Sequence, residues 1–427
     1  MGSRAEPAAR ARSGGCLVRA LGPRGLGDRK ALSLPPDVSR VLLLVPDPHA
    51  RFAAVELSRR FFEEEVLERG YGLCTYVFAW TPEREAVPVP GYLDGYGDLR
   101  IRPDLASLTL LPDGVSAVVC DAEWPDGSPV GAAPRQVLIA QLEALASKGF
   151  VPSIGIEHEV VFADEDGPLT AHGVDYAVGG TERLRPLLAD LREALEPLGV
   201  ESARAECHPG QYEIVLRHRD ALSACDDAML QQLIVRSVAA RHGVTANYLA
   251  APEPGQGNSC HVHLSIQGAP MRAFLAGVLR EARALTALWA PTWNSYVRLR
   301  TAPFSPRVLK WGVDDRTCAV RVAGQGDSER LEFRFAGADA QVHLVVAALL
   351  AAGRAGIEEE LTPPSAGAEV GSLCVTPWEA LAALEKRVPA LLGEELATQQ
   401  AALLRAEIDE GCDAVTDWQR RRGALRA

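Results

Sequence analysis

The sequence predicts an α+β protein with more than one domain, on three observations. The chain has 427 residues, which is enough for two or three domains at roughly 100–200 residues each. Strand-like and longer helical segments alternate irregularly, without the glycine-rich turns of a dinucleotide-binding fold. Hydrophobic residues at 47% and charged residues at 23% are ordinary values for a globular protein with a sizeable core.

Charge and cysteine content exclude several classes of protein. The formal net charge of −12 argues against a general nucleic-acid binder, which usually presents a basic face. No stretch approaches the ~18 consecutive apolar residues of a membrane span, so no membrane partner is expected. The nine cysteines are widely spaced and contain no C-x-x-C pair. This usage is typical of reduced thiols and predicts a cytoplasmic protein.

The first segment of the chain lacks the sequence patterns of folded structure. Residues 1–35 are rich in Arg, Gly and Ala and show no hydrophobic periodicity, which predicts a disordered leader. An organelle transit peptide is the less favoured alternative, because the segment has little Ser and no sustained apolar face.

Residues 36–130 predict a small α+β N-terminal domain. Apolar runs rich in β-branched residues predict strands, and the longer periodic stretch with Val55, Phe62 and Val66 predicts a helix. In order, the predicted elements are a strand Val41–Val45, a helix Arg51–Arg69, a strand Leu73–Trp80, a loop Thr81–Gly97, and strands Leu99–Ile101 and Ala117–Cys120.

Residues 131–427 predict the domain that carries the chemistry. It opens with a helix over Pro134–Lys148, where Val137, Leu138, Leu142 and Leu145 share one face. It ends in a helical tail over Pro377–Arg422, in which we identify no functional residues.

Four short strands between these helices each combine an apolar face with an unusually charged one. Because side chains alternate along a strand, residues two apart share a face. The predicted strands are Ser153–Phe162, Gln211–Leu216, His261–Ile266 and Arg330–Phe335. Their polar faces carry Glu157 and Glu159; Gln211 and Glu213; His261, His263 and Ser265; and Arg330, Glu332 and Arg334.

Residues of these types, gathered on one surface, are suited to metal-assisted phosphoryl transfer. A single strand with two glutamates is more often a hydrated surface, but four such strands favour a site. Neighbouring carboxylates repel unless cations neutralise them, and carboxylates with an imidazole suit Mg²⁺ or Mn²⁺ better than zinc. Arginine forks bind phosphates and carboxylates in a bidentate manner. No P-loop motif occurs, so a nucleotide would be held in another way.

Six ordered motifs carry a resemblance to the glutamine synthetase family, from about Val41 to the C-terminus. They are Gly155-Ile-Glu-His-Glu159, Glu206-Cys-His-Pro-Gly-Gln-Tyr-Glu213, Gly257-Asn-Ser-Cys-His-Val-His-Leu-Ser265, Asn294-Ser-Tyr-Val-Arg-Leu299, Asp315-Arg-Thr-Cys-Ala-Val-Arg321 and Arg330-Leu-Glu-Phe-Arg334.

The resemblance implies a fold, an assembly and a reaction. The fold would be a β-grasp-like N-terminal domain followed by a catalytic domain on a curved antiparallel sheet flanked by helices. The sites would lie between neighbouring subunits of a large ring-type homo-oligomer. The reaction would be an ATP-dependent ligation, in which the γ-carboxylate of glutamate is phosphorylated and an amine then displaces the phosphate.

The same resemblance implies a role for each matching residue. One metal would be held by Glu159, Glu206 and Glu213, and a second by Glu157, His261 and Glu332. Arg316, Arg321 and Arg330 would face the ATP phosphates, and His263 and Ser265 would line the nucleotide side. Arg298 and Arg334 would hold the carboxylates of glutamate, with the Gly257 backbone near its amino group. His208, Cys207 and Cys260 are interpreted as structural.

The sequence departs from the family where ammonium would bind. Glutamine synthetases proper use an acidic Asp-Gly-Ser-Ser loop, which should fall around Thr81–Val89 and is missing here. The Asp126-Gly127-Ser128 triplet is interpreted as an ordinary turn instead. A flap glutamate that follows the Asn-Ser-Tyr motif is replaced by Phe304 at about that position. An apolar ring offers an ammonium ion only ~0.5–2 kcal/mol of cation–π attraction, so we expect an organic amine as the substrate.

Two alternatives stay open at this point. The chain could be a glutamine synthetase proper with a divergent ammonium site. It could also be a non-catalytic relative with a structural role, although all six metal-ligand positions are filled.

Overall fold

A computed structural model describes residues 34–36, 38–111 and 114–426 of the chain. Most of the predicted N-terminal leader therefore lies outside the described residues. Within them the protein has two β-sheets, and helices cover the apolar side of the larger sheet. This confirms the α+β class.

The first sheet has six strands in the order β2-β1-β6-β4-β3, with β5 beside β6. β1 and β6 are parallel, and the other neighbours are antiparallel. This arrangement agrees with a grasp-like N-terminal unit. The elements are β1 (Arg40–Pro46), β2 (Phe52–Ser58), α1 (Arg59–Phe61), a π-helical turn (Phe62–Val66), α2 (Leu67–Arg69), β3 (Tyr71–Cys74), β4 (Asp98–Pro103), β5 (Thr109–Leu110) and β6 (Ser116–Glu123).

The predicted helix Arg51–Arg69 is wrong in its first half. Phe52–Ser58 forms an edge strand that pairs with β1 along its whole length, from Pro46↔Phe52 to Arg40↔Ser58. The helix begins only at Arg59, where the Ser58 hydroxyl accepts a hydrogen bond from the Phe61 amide. The backbone partners offered by β1 decide the structure of this segment, and a local pattern cannot show them.

The predicted strand Leu73–Trp80 is also shorter than expected. β3 ends at Cys74, and Thr75–Phe78 forms a 3₁₀ turn in which Thr75, Val77 and Phe78 are all buried. In a strand, successive side chains point to opposite faces, so Val77 and Phe78 could not both point to the same core. The 3₁₀ turn allows both side chains to be buried.

The second sheet has ten strands and follows the order β14-β15-β16-β13-β7-β10-β9, with β8, β11 and β12 also paired to β7. All neighbours are antiparallel except β14 and β15. This confirms the antiparallel sheet that the resemblance implied. The strands are β7 (Val151–Asp164), β8 (Gly167–Pro168), β9 (Val200–Ala205), β10 (Gln211–Leu216), β11 (Arg219–Asp220), β12 (Thr245–Asn247), β13 (Cys260–Gln267), β14 (Trp311–Val313), β15 (Val320–Ala323) and β16 (Arg330–Phe333).

Ten α-helices accompany this sheet in the part of the chain that the structure describes. α6 and α9 approach so closely that a Cβ added at Gly277 would lie 2.7 Å from the Gly356 Cα, so both positions need glycine. The helices are α3 (Pro134–Ala146), α4 (Arg185–Leu195), α5 (Ala221–Arg241), α6 (Met271–Glu281), α7 (Thr286–Trp289), α8 (Trp293–Thr301), α9 (Val342–Glu358), α10 (Pro377–Leu392), α11 (Glu394–Asp413) and α12 (Asp417–Ala424). Among the described residues, no helix is both long and apolar enough to cross a membrane.

A buried ion-pair network joins the first sheet to the helices of the larger domain. Arg135, in the first turn of α3, contacts Asp121 of β6, Asp104 after β4 (Nη2–Oδ2 2.8 Å) and Asp226 of α5 (Nη2–Oδ2 2.9 Å). His343 of α9 lies 3.0 Å from Asp226. The Arg135 guanidinium therefore ties the first sheet to α3 and α5, and Asp226 extends the network to α9. The predicted domain boundary near residue 130 falls between β6 and α3.

Candidate metal and phosphate site

The polar faces of six strands form one continuous row across the second sheet. Strand pairing places Arg204 opposite Glu213, Glu213 opposite Glu159, Glu157 opposite His261, His263 opposite Glu332, and Glu332 opposite Arg321. Directly opposite side chains on one face lie about 4.5–5.5 Å apart at Cβ. The register of the sheet thus brings together charged residues that lie far apart in the chain, from Glu157 to Glu332, and the row has arginine at both ends.

Glu157, His261 and Glu332, predicted to hold one metal, lie together. One possible ligand atom from each falls within 4.8 Å of the others. His261 Nδ1 is 3.7 Å from Glu157 Oε2 and 3.9 Å from Glu332 Oε1, and its Nε2 is buried without a hydrogen-bond partner. Burial opposes the ionisation of both carboxyls, but His261 and the neighbouring cationic groups lower the pKa of Glu157 and of Glu332.

The other predicted metal set is arranged differently. Glu159 and Glu213 form a compact group with His261, whereas Glu206 forms a separate group with Asp175 and Cys207. Burial and the nearby Glu159 raise the pKa of Glu206 to about 7. Burial and Glu157 raise the pKa of Glu213 to about 9. Arg204 opposes both shifts, but burial and the neighbouring carboxylates outweigh it.

Glu159 is held in place by neutral donors. Its Oε2 accepts hydrogen bonds from the Ser259 amide at 2.7 Å and from Gln211 Nε2 at 3.0 Å. Gln211 Nε2 also donates to the Gly257 carbonyl and to Asn258 Oδ1. The first three motifs are thus linked around one carboxylate, and its other oxygen is left for a ligand.

The donor set fits a hard divalent cation. Four glutamates of this row share one face of the sheet, and the pKa is raised at one of them, Glu213, and at the neighbouring Glu206. His261 contributes a buried imidazole nitrogen without a partner. Oxygen donors with one or two imidazoles suit Mg²⁺ or Mn²⁺, whereas structural zinc sites prefer cysteine or more histidine.

Three of the predicted arginines contact the ligand-type residues. Arg321 Nη1 donates to Glu332 Oε2 at 2.8 Å, and Arg334 Nη1 donates to Glu332 Oε1. Arg330 Nε donates to His263 Nδ1 at 3.1 Å. Arg316 is exposed in the loop between β14 and β15. Together they form a cationic border on the Glu332 side, which is suited to an anionic substrate group.

Arg298 is buried on α8 and only partly satisfied. Its Nη1 donates to the Phe335 carbonyl at 2.8 Å and its Nη2 to Ser259 Oγ at 3.0 Å, while Nε has no partner. Gly257 packs directly against this side chain, since a Cβ at Gly257 would lie 2.9 Å from Ala302 Cβ and 3.4 Å from Arg298 Cγ. Ser265 is half-buried on β13 next to this row, two residues beyond His263.

The structure also places two residues at the site that sequence reasoning missed. Arg204 of β9 lies between Glu206 (Nε–Oε1 3.0 Å) and Glu213 (Nη2–Oε1 2.7 Å). Asp175 lies beside Glu206 in an exposed loop. The sequence does contain a pattern that could have indicated Arg204, because it lies two residues before Glu206 and residues two apart in an extended segment share a face. No local pattern around Asp175 indicates a place at the site.

Phe304 and the Asp126-Gly127-Ser128 turn both lie in exposed loops. Phe304 follows α8 in a loop and is 64% exposed. The Asp126-Gly127-Ser128 turn is confirmed, because Asp126 Oδ1 accepts from the amide and hydroxyl of Ser128 at 2.9 and 2.6 Å.

Comparisons with known proteins agree with this geometry. A family model described as "glutamine synthetase, catalytic domain" matches residues 131–423. The chain is 38% identical to the γ-glutamylethanolamide synthetase GlnA4 of Streptomyces coelicolor, over 95% of this chain and 96% of that protein. It is 29% identical to a glutamate–isopropylamine ligase from a Pseudomonas species, over 72% and 75% of the two chains. A solved structure titled as a GmaS–ADP complex superposes with a TM-score of 0.80 at 27% identity, covering 90% of this chain and 96% of that one.

Proposed function

The chain belongs to the glutamine synthetase family of carbon–nitrogen ligases, and we propose that it condenses the γ-carboxylate of glutamate with a small organic amine at the expense of ATP. The observation that carries this proposal is the row of glutamates, histidines and arginines across the second sheet. Phosphoryl transfer needs aligned cations around the phosphates and a fixed acceptor, and this row supplies groups for both.

Divalent cations, Mg²⁺ or Mn²⁺, are proposed to bind along the row, two or more per site. Glu157, His261 and Glu332 would hold one, and Glu159, Glu206 and Glu213 the other. When bound, such an ion neutralises developing charge on the phosphoryl oxygens. Glu332 is kept ionised for this role by Arg321 and Arg334, which contact its two oxygens.

The arginines divide between nucleotide and acid substrate. Arg316, Arg321 and Arg330 are proposed to face the ATP phosphates, with His263 and Ser265 on the nucleotide side. Arg298, Arg334 and the Gly257 backbone are proposed to hold glutamate. Support for Arg298 comes from its unpartnered buried Nε, a donor that a carboxylate can satisfy.

The amine is proposed to be organic because the expected ammonium-binding acids are replaced. Phe304 occupies the approximate position of the flap glutamate, and no Asp-Gly-Ser-Ser sequence occurs around Thr81–Val89. The names of two similar proteins specify ethanolamide and isopropylamine products or substrates. Ethanolamine is therefore the first candidate. We extend the proposal to a large ring-type homo-oligomer with sites between subunits, which light scattering of the purified protein would test.

The decisive experiment is a phosphate-release screen with Mg²⁺, ATP, glutamate and a panel of amines. The panel comprises ammonium, methylamine, ethanolamine, isopropylamine, putrescine and hydrazine. We expect an organic amine to give the highest kcat/KM. Glu332→Ala should abolish turnover with every amine, because it removes a proposed metal ligand and the carboxylate that Arg321 and Arg334 contact. The exposed Glu329→Ala, three residues away, is the matched control and should retain activity.

Each other outcome points to a different function. Fastest turnover with ammonium at physiological concentration would identify a glutamine synthetase proper. Phosphate release no faster than that of Glu332→Ala, with every amine, would indicate a non-catalytic relative.

A further inference from the structure

A cavity of about 420 Å³ lies between the N-terminal unit and the helices of the larger domain. Its walls come from residues 48–51 and 81–82 of the first unit, and from α5, α11, residues 245–249 and the turn that precedes α8. Small-molecule sites in proteins usually measure ~300–1,000 Å³. Among the described residues, none of those proposed to bind metal, nucleotide or glutamate lines this cavity.

A large part of the cavity wall is apolar. It includes Tyr248 beside α5, Ala287 and Pro291 before α8, and Leu403 and Leu404 of α11. Tyr248 and Leu404 are 5% and 4% exposed, so their positions are fixed by packing in the core. A wall of this kind gains free energy when it covers the carbon surface of a ligand.

Two acids of the cavity wall hold the first turn of α8, and each uses one oxygen to do so. Asp339 Oδ2 accepts hydrogen bonds from the hydroxyls of Thr292 and Ser295, both at 2.7 Å. Glu407 Oε1 accepts a hydrogen bond from the Trp293 amide at 2.6 Å. Asp339 Oδ1 is buried and has no hydrogen-bond partner in the described part of the chain. The second oxygen of each acid is therefore available to a ligand.

The acids on this wall are short of positive charge. Burial raises the pKa of Asp339, although hydrogen bonds from hydroxyls and the charge of Arg298 oppose the shift. Burial also raises the pKa of Glu407, and Glu410 and Asp339 add to this effect. A cationic group placed between these carboxylates would favour their ionised forms.

The basic groups of the cavity do not supply that charge. Arg51 pairs with Asp47, with Nε 3.0 Å from Oδ2. Arg236 is exposed at the mouth, and its guanidinium carbon lies 5.0 Å from the centre of the Tyr248 ring. Burial lowers the pKa of His49, against the effect of Asp47, which favours the neutral imidazole.

We propose that this cavity is a second binding site, which takes a primary amine with an apolar body. The ammonium group lies between Asp339 and Glu407 and donates hydrogen bonds to their free oxygens. The carbon body lies against the apolar wall formed by Leu403 and Leu404. This site is separate from the catalytic row, and its occupation does not require ATP, glutamate or a divalent cation.

Calorimetric titration of the full-length protein with 2-phenylethylamine tests the proposal, in the absence of ATP, glutamate and divalent cations. The wild type should bind one equivalent per chain. 2-Phenylethanol has the same skeleton but a hydroxyl group in place of the ammonium, and it should bind at least tenfold more weakly. Ethanolamine has the ammonium without the apolar body, and it should also bind at least tenfold more weakly.

Three variants test the two halves of the site. Asp339→Asn and Glu407→Gln each remove a charge but keep an acceptor for α8, and each should weaken the binding of 2-phenylethylamine at least tenfold. Ala406→Leu fills part of the cavity without changing its charge, and should weaken binding equally. Thermal unfolding of each variant identifies any that does not fold, so that the conclusion is drawn from the folded ones.

Two further variants serve as controls. Asp409→Asn removes a charge from the exposed side of α11 outside the cavity, and should leave the affinity within twofold of the wild type. Glu332→Ala alters the catalytic row and should also leave the affinity within twofold. Because no turnover is measured, the result is independent of the proposed ligase activity.

Four results would overturn the proposal. The wild type might fail to bind 2-phenylethylamine, or 2-phenylethanol could bind as tightly as the amine, which would indicate an apolar cleft without an ammonium site. Unchanged affinity in folded Asp339→Asn and Glu407→Gln would remove the two acids from the site. Loss of binding in Glu332→Ala would place the amine in the catalytic row instead.

Discussion

Arg298 illustrates how a buried cation can be structural and still be available to a ligand. A fully buried guanidinium is strongly disfavoured unless its donors are paired, and burial lowers the pKa of Arg298 despite the nearby Glu159 and Asp339. Two of its nitrogens are satisfied by Phe335 and Ser259. Nε is the nitrogen of this guanidinium that has no hydrogen-bond partner in the protein.

Arg298→Lys should therefore impair glutamate binding selectively. Lysine keeps the charge but loses the fork, and a hydrogen bond to a charged group is worth about 1.5–3 kcal/mol. We expect the KM for glutamate to rise at least tenfold with the KM for ATP within threefold of the wild type, as measured by steady-state phosphate release. Arg300→Lys, on the exposed side of the same helix, is the matched control. An equal rise in both KM values would argue that Arg298 only maintains the fold.

At the scale of elements, sequence reasoning succeeded where the signal is local. Alternation along β7, β10, β13 and β16 is visible within six to ten residues, so their polar faces were predictable. The register was not, because Glu157 meets His261, and His263 meets Glu332, only through pairing between strands that are distant in the chain. Arg204 was missed because only two residues of its short strand segment show the charged alternation. β2 was misread because its partner β1 supplies the hydrogen bonds that a helix would otherwise make.

The network joining α3, α5 and α9 links stability to pH. Burial lowers the pKa of His343, although Asp226 partly opposes this shift. An unfolded histidine titrates near 6.5, so at lower pH the unfolded state binds a proton that the folded state does not. Stability is then retained above pH 6.5 and lost as the pH falls below it. The lowered pKa of Asp226, caused by Arg135 against the effect of burial, acts in the same direction.

The melting temperature should consequently fall between pH 7.5 and pH 5, and His343→Gln should reduce that fall. Glutamine can still donate to Asp226, but it cannot take up the proton in the unfolded chain. Differential scanning calorimetry of both proteins across this range checks the prediction. Identical pH profiles would show that His343 is not responsible.

At the scale of the whole molecule, the net charge of −12 is less informative about function than the positions of the charged residues. Four glutamates converge on one face of the second sheet, and arginines close the row at Arg204 and Arg321. The ion pairs of Arg135 join the first sheet to this unit. The site and the domain junction therefore belong to one connected core. Binding energy gained at the row should therefore stabilise the cooperative unit as a whole.

Divalent cations should accordingly raise the melting temperature of the metal-stripped protein. A ligand that binds only the folded state stabilises it by about 2.7 kcal/mol at one hundred times its Kd, which corresponds to a shift of several degrees. Mn²⁺ and Mg²⁺ relieve the repulsion among Glu157, Glu159, Glu206 and Glu213, whereas the same ionic strength of NaCl only screens it. Glu332→Ala should lose at least half of the Mn²⁺ shift, and Glu329→Ala should keep it. A shift of equal size in Glu332→Ala would place the stabilising ion elsewhere on this acidic protein, and the row across the sheet would lose its assignment as the metal site.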